Sequence, residues 1–220
     1  MRILSTKKLT AVQRDQLKGF EVVEQSMIEI SYGEGFRIDE NVKNAVFTSA
    51  NSVRSVFLIH KNSTAWFDSI FCVGQKTKDL LEMQGLEVGI VANNAMELAD
   101  ILAERFATEQ DDLKEINWFC GNLRNKDLPN ILAENGVLLT EYIVYQTKLT
   151  PVKVATNFDA VLFFSPSAIR SYLKENKSNL KPVVCIGAST AVEAIQHFEN
   201  VYMADTTTVE SVIEKVKEII

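Results

Sequence analysis

Cysteine is scarce in this chain: there are three in 220 residues, with no CxxC spacing and no Cys/His cluster. Neither a disulfide framework nor a zinc site is indicated. Cys72, Cys120 and Cys185 each follow an apolar run, which predicts reduced thiols packed at strand ends. Four prolines and nine glycines, in no biased run, exclude collagen-like, low-complexity and largely disordered chains. No apolar stretch reaches ten residues, so no membrane-spanning helix is expected. The opening residues turn polar at Thr6-Lys7-Lys8, unlike a secretory signal, and with reduced thiols this points to the cytoplasm. Basic charge is in deficit: 23 Lys and Arg against 29 Asp and Glu give a net charge of −6. A general nucleic-acid binder needs a basic face, so that class is disfavoured.

What the chain does have is an apolar content of 46%, enough for the core of one large domain or two small ones. Short β-type runs at 2–5, 22–30, 45–48, 70–73, 88–92, 117–120, 137–145, 160–164, 183–186 and 200–203 alternate with helical patterns. Runs such as Ala160-Val161-Leu162-Phe163-Phe164 are apolar on both faces, as covered parallel strands require. This alternation is α/β with parallel sheets, and ten strands suit two five-stranded sheets. Two stretches break the rhythm, 31–40 with Gly33 and Gly35, and 147–157 with Pro151. They read as linkers around a domain at 41–146, leaving 1–30 with 158–220 as a discontinuous second domain.

An internal repeat supports the division. Thr48-Ser49-Ala50-Asn51-Ser52-Val53-Arg54-Ser55 resembles Phe164-Ser165-Pro166-Ser167-Ala168-Ile169-Arg170-Ser171, 116 residues on. Cys72-Val73-Gly74-Gln75-Lys76-Thr77 resembles Cys185-Ile186-Gly187-Ala188-Ser189-Thr190 at a spacing of 113, which also separates Glu97 from Glu210. Residues 120–145 line up with 3–28, Gly136 falling on Gly19. The second copy is therefore a circular permutation of the first. The expected architecture is two flavodoxin-like parallel-sheet domains related by a permuted repeat and joined by a two-stranded linker.

In open parallel sheets ligands bind beyond the carboxyl ends of the strands. Here those ends carry small hydroxyl or amide residues leading into helices: Thr48, Ser49, Asn51 and Ser52; Gly74, Lys76 and Thr77; Gly121, Asn122 and Arg124; Ser165 and Ser167; Gly187, Ser189 and Thr190. Each turn offers backbone N–H groups at the positive end of a helix dipole, an anion site made from main chain. Ser, Thr and Asn are also ordinary helix caps; five such turns, expected to face one cleft, point to a ligand with several negative groups. Other chemistries lack support. There is no GxGxxG, Walker or GxSxG motif, and the two histidines, His60 and His197, fall late in helical segments. Glu109-Gln110-Asp111-Asp112 reads as a solvated loop. A reaction governed by binding geometry fits better than one needing strong acid–base or metal assistance.

The order and spacing of these fragments resemble the uroporphyrinogen-III synthase family across nearly the whole chain. The carriers are Phe47-Thr48-Ser49-Ala50-Asn51-Ser52-Val53, Val73-Gly74 with Thr77 and Gly85, Cys120-Gly121-Asn122-Leu123 with Leu128, Leu132 and Gly136, and Val144-Tyr145-Gln146-Thr147. Phe163-Phe164-Ser165-Pro166-Ser167 and Ile186-Gly187 with Thr190-Ala191 complete the set. The resemblance implies cyclisation of hydroxymethylbilane, a linear polycarboxylated tetrapyrrole, with loss of water and inversion of ring D, by a monomer without cofactor or metal. It implies a catalytic role for Tyr145, assisting departure of the substrate hydroxyl, and substrate carboxylates held by the turn residues named above. Family members often carry a basic residue where this chain has Asn125, which places that contact on Arg124 or Lys126. Ser189 stands where the family often has threonine. A competing reading from another class is a non-catalytic two-domain module that closes on a small polyanion.

Overall fold

The computed structural model describes residues 1–33, 38, 41–59, 67–108, 114–154, 157–178 and 180–220. His60, the acidic run at 109–112, most of the first expected linker and residues 155–156 of the second lie outside the described residues. Along the chain run β1 (Arg2–Ser5), α1 (Ala11–Asp15), β2 (Glu21–Glu24), β3 (Ile28–Tyr32), β4 (Val42–Phe47), α2 (Ala50–Ile59), β5 (Phe67–Val73), α3 (Gln75–Glu82), β6 (Ile90–Ala92) and α4 (Ala95–Thr108). Then come β7 (Glu115–Gly121), α5 (Asp127–Glu134), β8 (Leu138–Leu149), β9 (Ala160–Phe163), α6 (Pro166–Glu175), β10 (Val183–Cys185), α7 (Ala188–Ala194), β11 (Val201–Met203) and α8 (Val209–Ile219).

The chain divides into two compact units, Met1–Glu29 with Lys148–Ile220, and Ile30–Thr147. One five-stranded sheet has the order β11-β10-β9-β1-β2 and one six-stranded sheet the order β3-β8-β7-β4-β5-β6. The pairings among β1, β2, β9, β10 and β11 and among β4 to β8 are all parallel. Their apolar runs are explained by cover on both faces. In the six-stranded sheet, Phe47, Val53, Phe57, Leu81 and Phe119 fill the face under α2 and α3. Trp118, Leu98, Leu102, Leu128 and Leu132 fill the opposite face under α4 and α5. The five-stranded sheet is likewise packed on both sides, around Phe163 and Tyr172 on one and Leu162 and Ile213 on the other.

The run expected as one strand at 22–30 is two. Gln25 N–H still bonds to Ser5 and Met27 N–H to Thr6, so the chain stays beside β1 as far as the fully buried Met27. Past it, Ile28–Tyr32 alternates half-buried with exposed residues and joins the other sheet beside β8. The described ends of both expected linkers are strand too: Ser31 and Tyr32 close β3, and Thr147 to Leu149 close β8. Gly33 and Pro151 mark where pairing stops, and period-2 burial carries the strands up to them.

The register of β8 on β7 is fixed by aromatic stacking. Phe47, Phe119 and Tyr142 sit opposite one another on adjacent strands, with centroids 4.9 and 5.1 Å apart and nearly parallel rings. Such cross-strand pairs set pairing in sheets. One step later the register slips: Cys120 pairs with Ile143, but Gly121 pairs with Tyr145. The additional residue, Val144, turns its side chain to the same face as Tyr142 and Tyr145, as a β-bulge does. The bulge is held by its carbonyl, which accepts from the Gly33 N–H at 3.2 Å and from the buried Ser55 hydroxyl; Ser55 in turn accepts from Gly33 N–H at 3.0 Å. Ser55→Ala removes one of the two partners of the Val144 carbonyl and of the Gly33 N–H, which stay bonded to each other, and a loss of about 0.5–1.5 kcal/mol is expected. Urea unfolding should show a lowered midpoint at unchanged slope; an unchanged midpoint would remove Ser55 from the bulge's support.

Candidate active site

In the Ile30–Thr147 unit, β4 leads through α2 to β5 on one side, and β7 leads through α5 to β8 on the other. Strand order reverses between β4 and β7, and ligands of open α/β sheets sit in the crevice beyond such a pair. Ser49 lies just past the end of β4, Gly121 ends β7, and β8 delivers Tyr145 beside both.

The bulge decides what Tyr145 touches. Strict alternation from Tyr142 would have sent its ring to the α4/α5 face. The additional residue turns it to the α2/α3 face instead, flat over Gly121. A Cβ placed on Gly121 would lie 2.4 Å from the Tyr145 Cζ and 2.7 Å from its hydroxyl oxygen, so only glycine fits beneath the phenol. Burial pushes the Tyr145 phenol above its ordinary value of 10.0, while hydrogen bonding to the Ser49 hydroxyl pulls the other way. The net direction is upward, which makes the phenol a weaker acid than an exposed tyrosine; like any tyrosine it is a protonated donor at neutral pH.

Ser49 also accepts from Asn51 N–H at 3.1 Å, and its carbonyl accepts from the Ser52 hydroxyl at 2.7 Å, opening α2. The Asn51 Oδ1 receives two donors, the Tyr32 hydroxyl and Arg54 Nη1, each at 3.1 Å. Sequence reasoning missed Tyr32 and Arg54. Arg54 follows Asn51 by three residues on one helix face, and its side chain turns back toward the helix start. That spacing was the available signal.

Other expected site residues are engaged elsewhere. Thr48 accepts the Trp118 indole N–H at 3.0 Å. Arg124 lies over the Trp118 ring and is ion-paired with Glu141, whose hydrogen bond raises its pKa. Asn122 turns its amide onto the backbone of Thr147. Asn125 pairs with Asp127 at the start of α5. Ser52, Thr77 and Thr190, expected as ligand contacts, have buried side chains: they are 0%, 4% and 1% exposed. Each is the third residue of its helix, with its N–H bonded back to the carbonyl of Ser49, Gly74 or Gly187. On a helix packed against a sheet that position faces inward.

Gly74 caps α3 at φ +80°, a conformation that favours glycine, and its N–H is taken by the Ala92 carbonyl at 2.8 Å. Lys76 is exposed on the first turn of α3. In the other unit, Ser165 caps α6 by accepting from Ala168 N–H and contacts Ser167 at 3.0 Å. Arg170, at the place in α6 that Arg54 holds in α2, is ion-paired with Glu193. Gly187 is buried close against Thr207, and Ser189 is exposed. The three cysteines are free and buried, and desolvation raises Cys72 to about 11 and Cys120 and Cys185 to about 12. They are inert thiols, as the sequence suggested.

Residues 11–214 match the family described as uroporphyrinogen-III synthase HemD. The fold is similar to that of uroporphyrinogen-III synthetase from Helicobacter pylori 26695, with a TM-score of 0.64 and 17% identity over 100% of both chains. It is also similar to a mutant uroporphyrinogen III synthase from the extremely thermophilic bacterium Thermus thermophilus, with a TM-score of 0.71 and 15% identity over 99% of this chain and 98% of that one.

Burial places two phenols above the usual tyrosine range, Tyr145 and Tyr172. An ultraviolet difference titration should therefore show one fewer late-ionising tyrosine in Tyr145→Phe than in the parent. Gly121→Ala, which displaces the ring, should bring the Tyr145 ionisation back toward about 10; an unchanged titration would mean the phenol does not rest on Gly121.

Proposed function

The chain belongs to the uroporphyrinogen-III synthase family, cyclising lyases that close hydroxymethylbilane to uroporphyrinogen III with inversion of ring D and loss of water in haem biosynthesis, and from that premise we propose how its own residues carry the reaction. The terminal hydroxyl of the bilane leaves as water while the nitrogen lone pair of ring A forms an azafulvene. The phenol of Tyr145, protonated at neutral pH, is the group that meets the departing hydroxyl. Ring D then attacks through its already substituted carbon, and the spiro intermediate fragments and recloses with the ring inverted. Left alone, the substrate closes without inversion, so the protein's task is to hold one geometry. The observation that carries this reading is the phenol of Tyr145 laid on Gly121 beside Ser49, at the strand-order reversal.

Substrate carboxylates fall to the groups left available. In the Ile30–Thr147 unit these are Ser49, Asn51, Lys76 and Arg54, the last with no acid paired to it among the described residues. A carboxylate at a helix start gains about 0.3–1 kcal/mol when exposed, and the Arg54 fork adds a charge-assisted partner. In the other unit Ser165, Ser167 and Ser189 supply the corresponding turns. The buried Ser52, Thr77 and Thr190 shape those turns rather than touch the ligand.

The two units also read as permuted copies. In chain order the five-stranded sheet is arranged 2-1-3-4-5 and strands β4 to β8 are arranged 5-4-1-2-3. Moving β7 and β8 ahead of β4 makes the two orders identical, which supports the repeat seen in the sequence, with β3 and β8 carrying the chain between units. We further propose a monomer that works in the cytoplasm; no helix among the described residues is long and apolar enough to cross a membrane.

Incubation with freshly generated hydroxymethylbilane, followed by oxidation and chromatography of the porphyrins, should give predominantly the type III isomer. Type I alone, at the background rate, would contradict the activity and return the polyanion-binding module. Arg54→Gln is expected to raise KM severalfold with kcat little changed; an unaltered KM would remove Arg54 from carboxylate binding.

A further inference from the structure

We propose that Asn122 is a positioning residue for the cyclisation, acting through Tyr145 rather than on the substrate; this rests on the reading of Tyr145 as the group that assists departure of the hydroxyl. Regular pairing between β7 and β8 ends at Gly121 and Tyr145, immediately after the register slip. Beyond that point no further ladder rung fixes β8 against β7, and the bulge has already broken the rung below. Asn122 takes over. Its own N–H donates to the Tyr145 carbonyl at 3.3 Å, its Nδ2 donates to the Thr147 carbonyl at 3.2 Å, and its Oδ1 accepts from the Thr147 N–H at 2.7 Å. Three hydrogen bonds from one residue thus seize both sides of Gln146.

The side-chain amide mimics the missing strand, presenting one donor and one acceptor to a peptide that offers the complementary pair. Thr147 is 8% exposed, so these bonds form where water competes poorly and a lost partner is costly. The consequence is leverage. The phenol sits at the far end of the Tyr145 side chain, and a small rotation of the backbone at the bulge moves it off Gly121 and away from Ser49. Gly121 supplies the bed for the ring and Asn122 the anchor for its backbone. An aspartate would keep the acceptor for Thr147 N–H but would face the Thr147 carbonyl with a second oxygen. The pattern therefore requires an amide.

A ligand contact and a positioning contact differ in what they change. With the amide oxygen and one N–H already engaged by Thr147, removal of Asn122 should act on turnover and not on affinity. Asn122→Ala is expected to lower kcat by a factor comparable to Tyr145→Phe, with KM unchanged within about twofold, since misplacement of a reacting group costs rate rather than uniform binding. In the Tyr145→Phe background the same substitution should cost little more, because residues acting as one unit are not additive.

Fluorine NMR of protein labelled with 3-fluorotyrosine gives a readout independent of activity. Of the five tyrosines, the Tyr145 signal, assigned by its loss in Tyr145→Phe, should move toward the position of the free amino acid in Asn122→Ala while the other four hold. Movement of all five would report unfolding, and Asn122→Asp, isosteric and half-satisfied, then replaces the alanine variant in the same comparison. The proposal is overturned if Asn122→Ala raises KM and spares kcat, if it costs its full factor again in the Tyr145→Phe background, or if the Tyr145 signal stays in place. A parent-like rate in Tyr145→Phe would overturn the role of the phenol instead, and the fluorine signal would still decide whether Asn122 places the ring.

Discussion

The register of β8 on β7 is the constraint on which the site depends. Three stacked aromatics, Phe47, Phe119 and Tyr142, hold neighbouring strands in step below the site. A single slip above them then sends Val144 and Tyr145 to the same face. Without the stack, the slip has no fixed location; without the slip, the phenol belongs to the α4/α5 side, with Trp118 and Leu128 rather than Ser49. Packing in the core and placement of the reactive group are therefore one problem. The Ser55 hydroxyl under the bulge gives the Val144 carbonyl a second donor, and the Asn122 amide beyond it pairs the Thr147 N–H and carbonyl, in keeping with the need of buried main-chain groups for partners.

Polar residues at the starts of the helices divide by position into two kinds. Those at the third helical place face the sheet, bond to the cap residue and are buried. Those before or beside it remain open. This division lets similar helix starts combine stability with the recognition proposed for them: Ser49 and Asn51 are half-buried where Ser52 is closed, and Ser189 is open where Thr190 is closed. Charge divides in a similar way. Arg124 and Arg170 are neutralised by Glu141 and Glu193, whereas the Arg54 guanidinium is hydrogen-bonded to a neutral amide and keeps its attraction for an anion. On the proposed reading, such local donors let a protein of net charge −6 meet a polycarboxylate, its overall charge being screened beyond roughly 8 Å at physiological salt.

The alternation of strands and helices was legible because covered parallel strands must be apolar on both faces and their helices on one. The strand-end turns were legible because capping demands small polar residues. The division of residues 22–30 into β2 and β3 was not: both halves are β-type runs, and only pairing with different sheets separates them. Burial of Ser52, Thr77 and Thr190 was also hidden, since a hydroxyl three places into a helix looks the same in sequence whether it faces solvent or sheet. Tyr145 was picked out by family resemblance, but period-2 reasoning places it on the wrong face, because a bulge carries no signature except in the partner strand. Gly121 was legible as part of a strand-end turn, but the need for glycine there comes from the Tyr145 ring that lies on it.

The central claim is geometric, and nuclear Overhauser contacts of the Tyr145 ring in the unliganded protein test it most directly. The account predicts strong cross-peaks from the ring protons to the α protons of Gly121 and to the β protons of Ser49, with one Gly121 α proton shifted upfield by the ring current. Cross-peaks to Leu128 and Leu132 on α5 instead, with Gly121 at an ordinary shift, would contradict it.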